Sequence, residues 1–113
     1  MECVFCAIIG GQLPGEFLYQ DDAVVAIKDV NPQAPVHLLI IPRRHIPTLL
    51  DLDPADEGLM GHICNVATQV ATEQQISAEG FRLVVNCGLG AGQSVFHIHF
   101  HLMGGRTLHW PPG

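Results

Sequence analysis

The sequence has little positive charge. It contains five lysines and arginines against eleven aspartates and glutamates, so its formal net charge is −6 at pH 7. Because such a chain does not attract polyanions at long range, we expect no nucleic-acid partner and no membrane partner. Any anionic ligand must then be bound by local groups such as backbone N–H donors, hydroxyls and imidazoles.

Long apolar runs are also missing. No stretch approaches the roughly 20 apolar residues that a membrane-spanning helix needs, and residues 1–9 lack the basic segment of a secretory signal. The four cysteines form no disulfide-rich pattern. These absences predict a cytoplasmic protein. The length of 113 residues and the hydrophobic content of 48% predict one domain over residues 1–113.

The most distinctive stretch is residues 97–103. Three of the seven histidines alternate there with apolar residues, which is the period-2 pattern of a half-buried β-strand. Such a strand directs three apolar side chains into a core and three imidazoles to the opposite face, those of His97, His99 and His101. Since same-face residues lie about 6.5–7 Å apart, a single metal ion bound by all three rings would require strong bending. The row suits instead a charged substrate that needs a nucleophile beside a general acid.

The remaining patterns predict an α+β fold. Apolar and alternating runs indicate about five strands, at residues 17–19, 23–29, 36–41, 81–86 and 97–103. Their hairpin-length connections favour an antiparallel sheet. A short helix or turn is expected near residues 3–10. One long helix is predicted to begin at Asp53-Pro54, with the apolar stripe Leu59, Ile63, Val66 and Val70 facing the core. Cys64 and Cys87 are expected to be small packing residues.

Two features beside these elements suit a nucleotide. The glycine-rich residues 88–94 could bind a phosphate through backbone N–H groups and the Ser94 hydroxyl. A simple glycine-rich linker is the alternative. The loop precedes a strand instead of opening a helix, which excludes a dinucleotide or P-loop motif. Asp29 ends a strand before a proline-rich turn, where its carboxylate could accept hydrogen bonds from a ribose diol or simply cap the turn.

These segments together resemble the histidine triad (HIT) superfamily. Residues 97–103 resemble its defining motif, and further matches lie at 29–37, 40–46 and 92–96. The ending His109-Trp110-Pro111-Pro112-Gly113 resembles the Hint branch. The resemblance covers essentially the whole chain. It implies a HIT-like fold, a five-stranded antiparallel sheet with one long helix and a short N-terminal helix, in a homodimer whose sheets join into one. Such a dimer would also give the lone Trp110 a surface on which to dock.

The resemblance also implies an activity, the hydrolysis of purine nucleoside 5′-phosphoramidates such as adenylated amines. His99 would attack the α-phosphorus and form a nucleotidyl-histidine intermediate. His101 and Ser94 would contact the phosphate and help to protonate the leaving amine, while His37 and His97 would orient neighbouring imidazoles. The nucleotide-binding residues that the resemblance implies are Asp29 at the ribose, Asn86 at the phosphate, Phe5, Ile8, Ile27 and Val30 around the base, and Gly92, Gln93, Ser94, His99 and His101.

One further motif concerns a metal. Cys3-Val4-Phe5-Cys6 is a C-x-x-C sequence. In HIT relatives with this pair it resembles half of a structural zinc site, which His45 and His97 would complete. Four sulfur and nitrogen ligands would form a closed tetrahedral site that pins the N-terminal segment to the catalytic strand. The alternative is that both cysteines only pack. The chemistry itself is expected to require no cofactor.

Two other functions stay open at this point. A dinucleotide polyphosphate hydrolase or nucleotidyl transferase belongs to the same superfamily, although residues 109–113 argue against it. A nucleotide-binding regulatory module, whose catalysis is incidental, is the third hypothesis, and no interaction motif supports it.

Overall fold

The elements of the fold follow the predicted order closely. A computed structural model describes residues 2–113. It contains two helices and five strands: α1 (Val4–Ile9), β1 (Phe17–Gln20), β2 (Val24–Lys28), β3 (Val36–Pro42), α2 (Glu57–Glu73), β4 (Phe81–Val85) and β5 (Phe100–Gly104). The strands form one antiparallel sheet in the order β1-β2-β3-β5-β4. The predicted fold class is therefore confirmed.

Each face of the sheet is covered by one helix. On one face α2 packs Ile63, Val66 and Val70 against alternate residues of the central strands, such as Leu38 and Ile40. On the other face Phe5 of α1 packs against a smaller set of buried residues, Val25, Ile27, Leu39 and Ile41. Because side chains alternate along a strand, each central strand contributes to both cores.

The long helix begins as a continuous extension of a 3-10 turn. Asp53 caps the turn Pro54–Asp56 by accepting a hydrogen bond from the N–H of Ala55 at 2.8 Å, and α2 follows directly at Glu57. Asp53 is therefore an N-cap as predicted, but of this leading 3-10 turn, and the α-helix itself begins three residues later than Pro54, at Glu57. The prediction that Cys64 packs in the core is wrong, because it lies on the exposed face of α2, whereas Cys87 is half-buried.

The histidine-bearing strand is shorter than predicted. β5 begins at Phe100, so residues 97–99 lie outside the ladder. In the register that pairs Ile40 with Phe100, Pro42 would lie opposite Ile98, two residues further along each strand. Proline has no N–H to donate to a ladder. The N–H of Ile98 instead bonds to the carbonyl of Ile46 at 2.6 Å. The alternation still holds, since Ile98, Phe100 and Leu102 all lie in the core under α2.

Within residues 2–113, no helix has both the length and the apolar character required to cross a membrane. The cytoplasmic location stays a prediction.

Candidate active site

Three imidazoles form a row on the face of the sheet that α1 covers. His37 of β3 and His101 of β5 have ring centroids 5.2 Å apart, and His101 lies 5.1 Å from His99. The adjacent pairing of β3 and β5 brings these residues together from distant parts of the chain. His97 is not in this row, because its ring packs beside the ring of His45, with centroids 4.9 Å apart.

His99 has its proton on the ring nitrogen that faces the backbone. Its Nδ1 lies 2.8 Å from the carbonyl oxygen of His97. Since a carbonyl can only accept, Nδ1 must donate, and the neutral ring then carries its lone pair on Nε2. Phe5 packs edge-on against this ring, with centroids 4.9 Å apart and an interplanar angle of 74°. His99 is therefore held in one tautomer, with its lone pair on Nε2.

His101 has the opposite tautomer when the site is neutral. The N–H of Gln33 donates to Nδ1 of His37 at 2.9 Å, so the proton of His37 lies on Nε2. That nitrogen is 2.9 Å from Nδ1 of His101 and 3.2 Å from Oδ2 of Asp29. His101 Nδ1 must then accept, which leaves its proton on Nε2. The row therefore presents a lone pair on His99 and an N–H donor on His101.

Burial keeps these rings neutral. Removal from water lowers the pKa of His37, and the nearby Asp29 carboxylate opposes this only in part. The pKa of His101 is lowered by burial and by the neighbouring rings of His99 and His37. Burial also lowers the pKa of His97. The lowered pKa values favour the neutral form of His37, His97 and His101.

Asp29 caps its turn and also faces the histidine row. Its Oδ1 accepts from the N–H of Asn31 at 2.9 Å, which caps the turn. Its Oδ2 faces His37 at 3.2 Å and His101 at 3.9 Å. The carboxylate thus borders the histidine row while it stabilises the loop. Its contact with a ribose stays a prediction.

The glycine-rich loop uses most of its own N–H groups. The N–H groups of Ala91, Gly92 and Gln93 donate to carbonyls within the loop, at 3.0–3.2 Å. The buried Gln93 amide accepts from Gly88 and donates to Pro47 at 2.8 Å. These three N–H groups therefore do not form the predicted phosphate cradle, and Gln93 shapes the loop instead. Ser94 of the same loop is exposed. Its contact with a phosphate stays a prediction.

The predicted base-binding residues are brought together in part. Phe5 and Ile27 are buried in the core under α1, and Ile8 packs against them. Val30 is wholly exposed and lies outside that core. Gly15 was not predicted, yet a Cβ on it would lie 2.6 Å from Cγ2 of Ile8. Its lack of a side chain lets the chain pass behind α1, and no sequence signal indicated this contact.

Asn86 lies beside the glycine-rich loop. It follows the last residue of β4 and is half-buried. A Cβ placed on Gly92 would lie 4.0 Å from its Nδ2. The predicted phosphate contact of Asn86 therefore has the loop as its immediate neighbour.

A second cluster next to the row could hold a metal ion. The ligand atoms of Cys3, Cys6, His45 and His97 all lie within 4.8 Å of one another. Four of the six pairs of these ligand atoms are 3.2–3.6 Å apart. These distances are close to the edges of about 3.3–3.8 Å in a tetrahedron with ordinary zinc–sulfur and zinc–nitrogen bonds. His97 Nε2 donates to the carbonyl of Pro42 at 2.7 Å, so the Nδ1 lone pair is the one that faces the cluster. These residues fit a structural metal.

Asp29, His37 and His101 also lie within metal-ligand distance of one another. Here the hydrogen bonds argue against a metal. The Nδ1 lone pair of His37 already accepts the N–H of Gln33, and its Nε2 carries the proton. A metal at Nε2 would have to displace that proton and break the bond to Gln33. A hydrogen-bonded relay explains the short distances better.

Comparison with known proteins agrees with this geometry. The family model described as scavenger mRNA decapping enzyme C-term binding matches residues 2–108. A HIT-like protein from Synechocystis sp. is 46% identical over 99% of this chain and 97% of its own length. The purine nucleoside phosphoramidase of Escherichia coli (strain K12) is 44% identical over 95% of this chain and 90% of its own length.

The solved structures show the same fold. A HIT family hydrolase from Legionella pneumophila superposes with a TM-score of 0.97, at 45% identity, over 99% of this chain and 100% of that one. A histidine triad protein from Clostridium difficile gives 0.93 at 38% identity, over 96% and 95% of the two chains. The chain therefore belongs to the matched family and, with these relatives, to the histidine triad (HIT) proteins.

Protonation of the buried rings should make stability depend on pH. An unfolded histidine has a pKa of about 6.5, and burial lowers the pKa of both His37 and His101 in the folded protein. Below about pH 6.5 the unfolded chain therefore binds more protons, so the free energy of unfolding falls as the pH falls. We expect a lower Tm at about pH 5.5 than at about pH 7.5.

Thermal unfolding of His37→Gln and of the control His109→Gln checks this. His109 is exposed. The pH dependence should weaken in the first variant and persist in the second. A wild-type protein that becomes more stable on acidification would contradict the expectation.

Proposed function

We propose that this protein hydrolyses purine nucleoside 5′-phosphoramidates, such as adenylated amines. The observation that carries the proposal is the pair of opposite tautomers, a free lone pair on His99 beside an N–H donor on His101. A phosphoramidate needs both groups, because its amine leaves readily only when it takes a proton. The identity of 44% to a purine nucleoside phosphoramidase supports the same substrate class.

In the first step His99 Nε2 attacks the α-phosphorus. The phosphorus–nitrogen bond breaks, and its electron pair takes the Nε2 proton of His101 so that the amine leaves neutral. For this step we infer that bound phosphate converts His101 to imidazolium, since a nearby negative charge favours the protonated ring. Asp29 Oδ2, which lies 3.2 Å from His37 Nε2 and 3.9 Å from His101 Nδ1, would then stabilise the positive charge of the His101 ring.

In the second step water resolves the nucleotidyl-histidine. Its oxygen bonds to phosphorus, the bond to His99 Nε2 breaks, and His101 Nε2 takes a proton from the water. The products are the nucleoside monophosphate and the amine, and both histidines return to their starting states. Ser94 and Asn86 would contact the phosphate. Phe5, Ile8, Ile27 and Val30 would border the base, and Asp29 would bind the ribose hydroxyls.

Turnover of three substrates side by side tests the activity. The wild-type protein should hydrolyse adenosine 5′-phosphoramidate faster than diadenosine polyphosphate or a sugar nucleotide. His99→Ala should lose at least about a thousandfold in kcat, because it removes the nucleophile. It should still bind AMP with little change in affinity. A His99→Ala variant that keeps wild-type kcat would refute the assignment, and turnover of diadenosine polyphosphate alone would favour the hydrolase of the second hypothesis.

We also propose that Cys3, Cys6, His45 and His97 hold a structural zinc ion. The tetrahedral spacing of the four ligand atoms supports this. Bound there, zinc would supply a cross-link between α1, which carries Phe5 and borders the base site, and the segment that leads to His99. It would take no part in the hydrolysis.

Metal analysis of protein purified without chelator checks this proposal. We expect about one zinc per chain, loss of the metal in Cys6→Ser, and retention in the control Cys64→Ser, whose thiol lies on the exposed face of α2. Metal-free protein with two freely reactive thiols at Cys3 and Cys6 would exclude the site.

A homodimer is the third part of the proposal. β4 is an outer strand of the sheet, so its free edge can pair with a second copy. Trp110 is 81% exposed and would gain a surface to cover it. Sedimentation equilibrium should give twice the 12.2 kDa mass of one chain. A single-chain mass at micromolar concentration would contradict the dimer.

A further inference from the structure

Arg106 reaches from the end of β5 to the loop that joins β2 to β3. Its Nε and Nη2 both donate to the carbonyl of Gln33, at 3.1 and 2.9 Å, and its Nη1 donates to the carbonyl of Thr107 at 2.9 Å. Within residues 2–113 no carboxylate lies within 4.0 Å of its guanidinium. Its contacts are therefore with backbone, and they hold a loop.

The carbonyl that Arg106 binds belongs to Gln33, which also contacts the histidine row. Gln33 accepts from Arg106 through its oxygen and donates its N–H to Nδ1 of His37 at 2.9 Å. His37 Nε2 in turn lies 2.9 Å from Nδ1 of His101. Four hydrogen bonds, in three successive links, thus join an exposed arginine to the group that would protonate the leaving amine.

A second contact clamps the same loop. Gly105 has φ of +91°, and a Cβ on it would lie 3.0 Å from Cβ of Pro35. The chain after β5 therefore packs closely on the loop, which a larger residue would prevent. β5 contains His101, and the residues directly after β5, Gly105 and Arg106, hold the loop. Both partners of the His37–His101 contact are positioned by this one segment.

We propose that Arg106 is a positioning residue for proton transfer. By fixing Gln33 it aims an N–H at Nδ1 of His37, which keeps the His37 proton on Nε2, the nitrogen that faces Asp29 and His101. The proposal rests on the phosphoramidase activity proposed above. It does not involve the nucleophile, because the His99 proton is fixed by the carbonyl of His97. Arg106 should therefore affect the departure of the amine and spare the attack on phosphorus.

The arginine side chain suits this position better than lysine. Its planar fork places two N–H donors on one carbonyl, whereas an ammonium group offers a single point contact. Arg106→Lys should therefore keep part of the effect, and Arg106→Gln should keep least. Arg82 provides a matched control. Arg82 and Arg106 both line one cavity of about 590 Å³, and Arg82 also donates to a backbone carbonyl, that of His109 at 2.9 Å. His109 is not part of the histidine row, so this contact is separate from His37 and His101.

The kinetic test compares two leaving groups on adenosine 5′-phosphate. An alkylamine must be protonated to leave, whereas 4-nitrophenolate leaves without a proton. Since His101 also acts in the second step, which both substrates share, the comparison uses kcat/KM, which includes only the steps up to departure of the leaving group. Arg106→Gln should lower kcat/KM for the alkylamine roughly tenfold, a part of what full loss of a general acid costs. It should lower kcat/KM for the 4-nitrophenyl ester less than about twofold. Arg82→Gln should match wild type on both substrates.

The structural test is the tautomer of His37, read from two-bond ¹H–¹⁵N correlations at neutral pH. The wild-type ring should be protonated at Nε2, and Arg106→Gln should show a mixture of tautomers. Equal loss of kcat/KM on both leaving groups, or an unchanged tautomer in a folded variant, would overturn the proposal. If the wild-type protein hydrolyses neither compound, the proposed function fails, while the tautomer still decides whether Arg106 controls His37.

Discussion

The hydrogen bond from Nδ1 of His99 to the carbonyl of His97 is the interaction on which the site depends. It forces the lone pair of His99 onto Nε2, the nitrogen that faces away from this carbonyl. The same residue, His97, donates from its ring to the carbonyl of Pro42 and turns its other nitrogen toward Cys3. One residue therefore joins the sheet, the cluster of candidate metal ligands and His99. A displacement of His97 would disturb all three.

This arrangement requires the chain to leave the sheet before Phe100. In a continued ladder the carbonyl of His97 would point along the sheet toward a neighbouring strand. Because β3 ends at a proline, no N–H is present to extend the pairing. The freed segment bonds instead to Ile46 and turns its own carbonyl toward the next imidazole. The end of a strand thus creates the geometry that catalysis would use.

The histidine row combines two opposite proton arrangements within one buried face. A backbone carbonyl fixes the proton of His99, and a backbone N–H fixes that of His37 and through it that of His101. Backbone groups cannot titrate, so these assignments do not depend on the charge of a neighbouring side chain. Burial lowers the pKa of His37 and His101 and keeps them neutral in the absence of an anion. The fold itself therefore sets the proton positions of these three rings.

The sequence by itself determined the sheet, the long helix and the face on which the imidazoles lie, because period-2 and period-3.6 patterns report local geometry and burial directly. It also indicated the four candidate metal ligands and the histidines of the row, through a resemblance that covers the whole chain. Only the tertiary structure decided that His97 is separated from His99 and His101, and that the Gln93 amide forms hydrogen bonds within its own loop. It also decided the close contact of Gly15 with Ile8 and the hydrogen bonds of Gln33 with Arg106 and His37. Those facts follow from strand register and from backbone hydrogen bonds between distant segments, and no local pattern of side chains encodes such contacts.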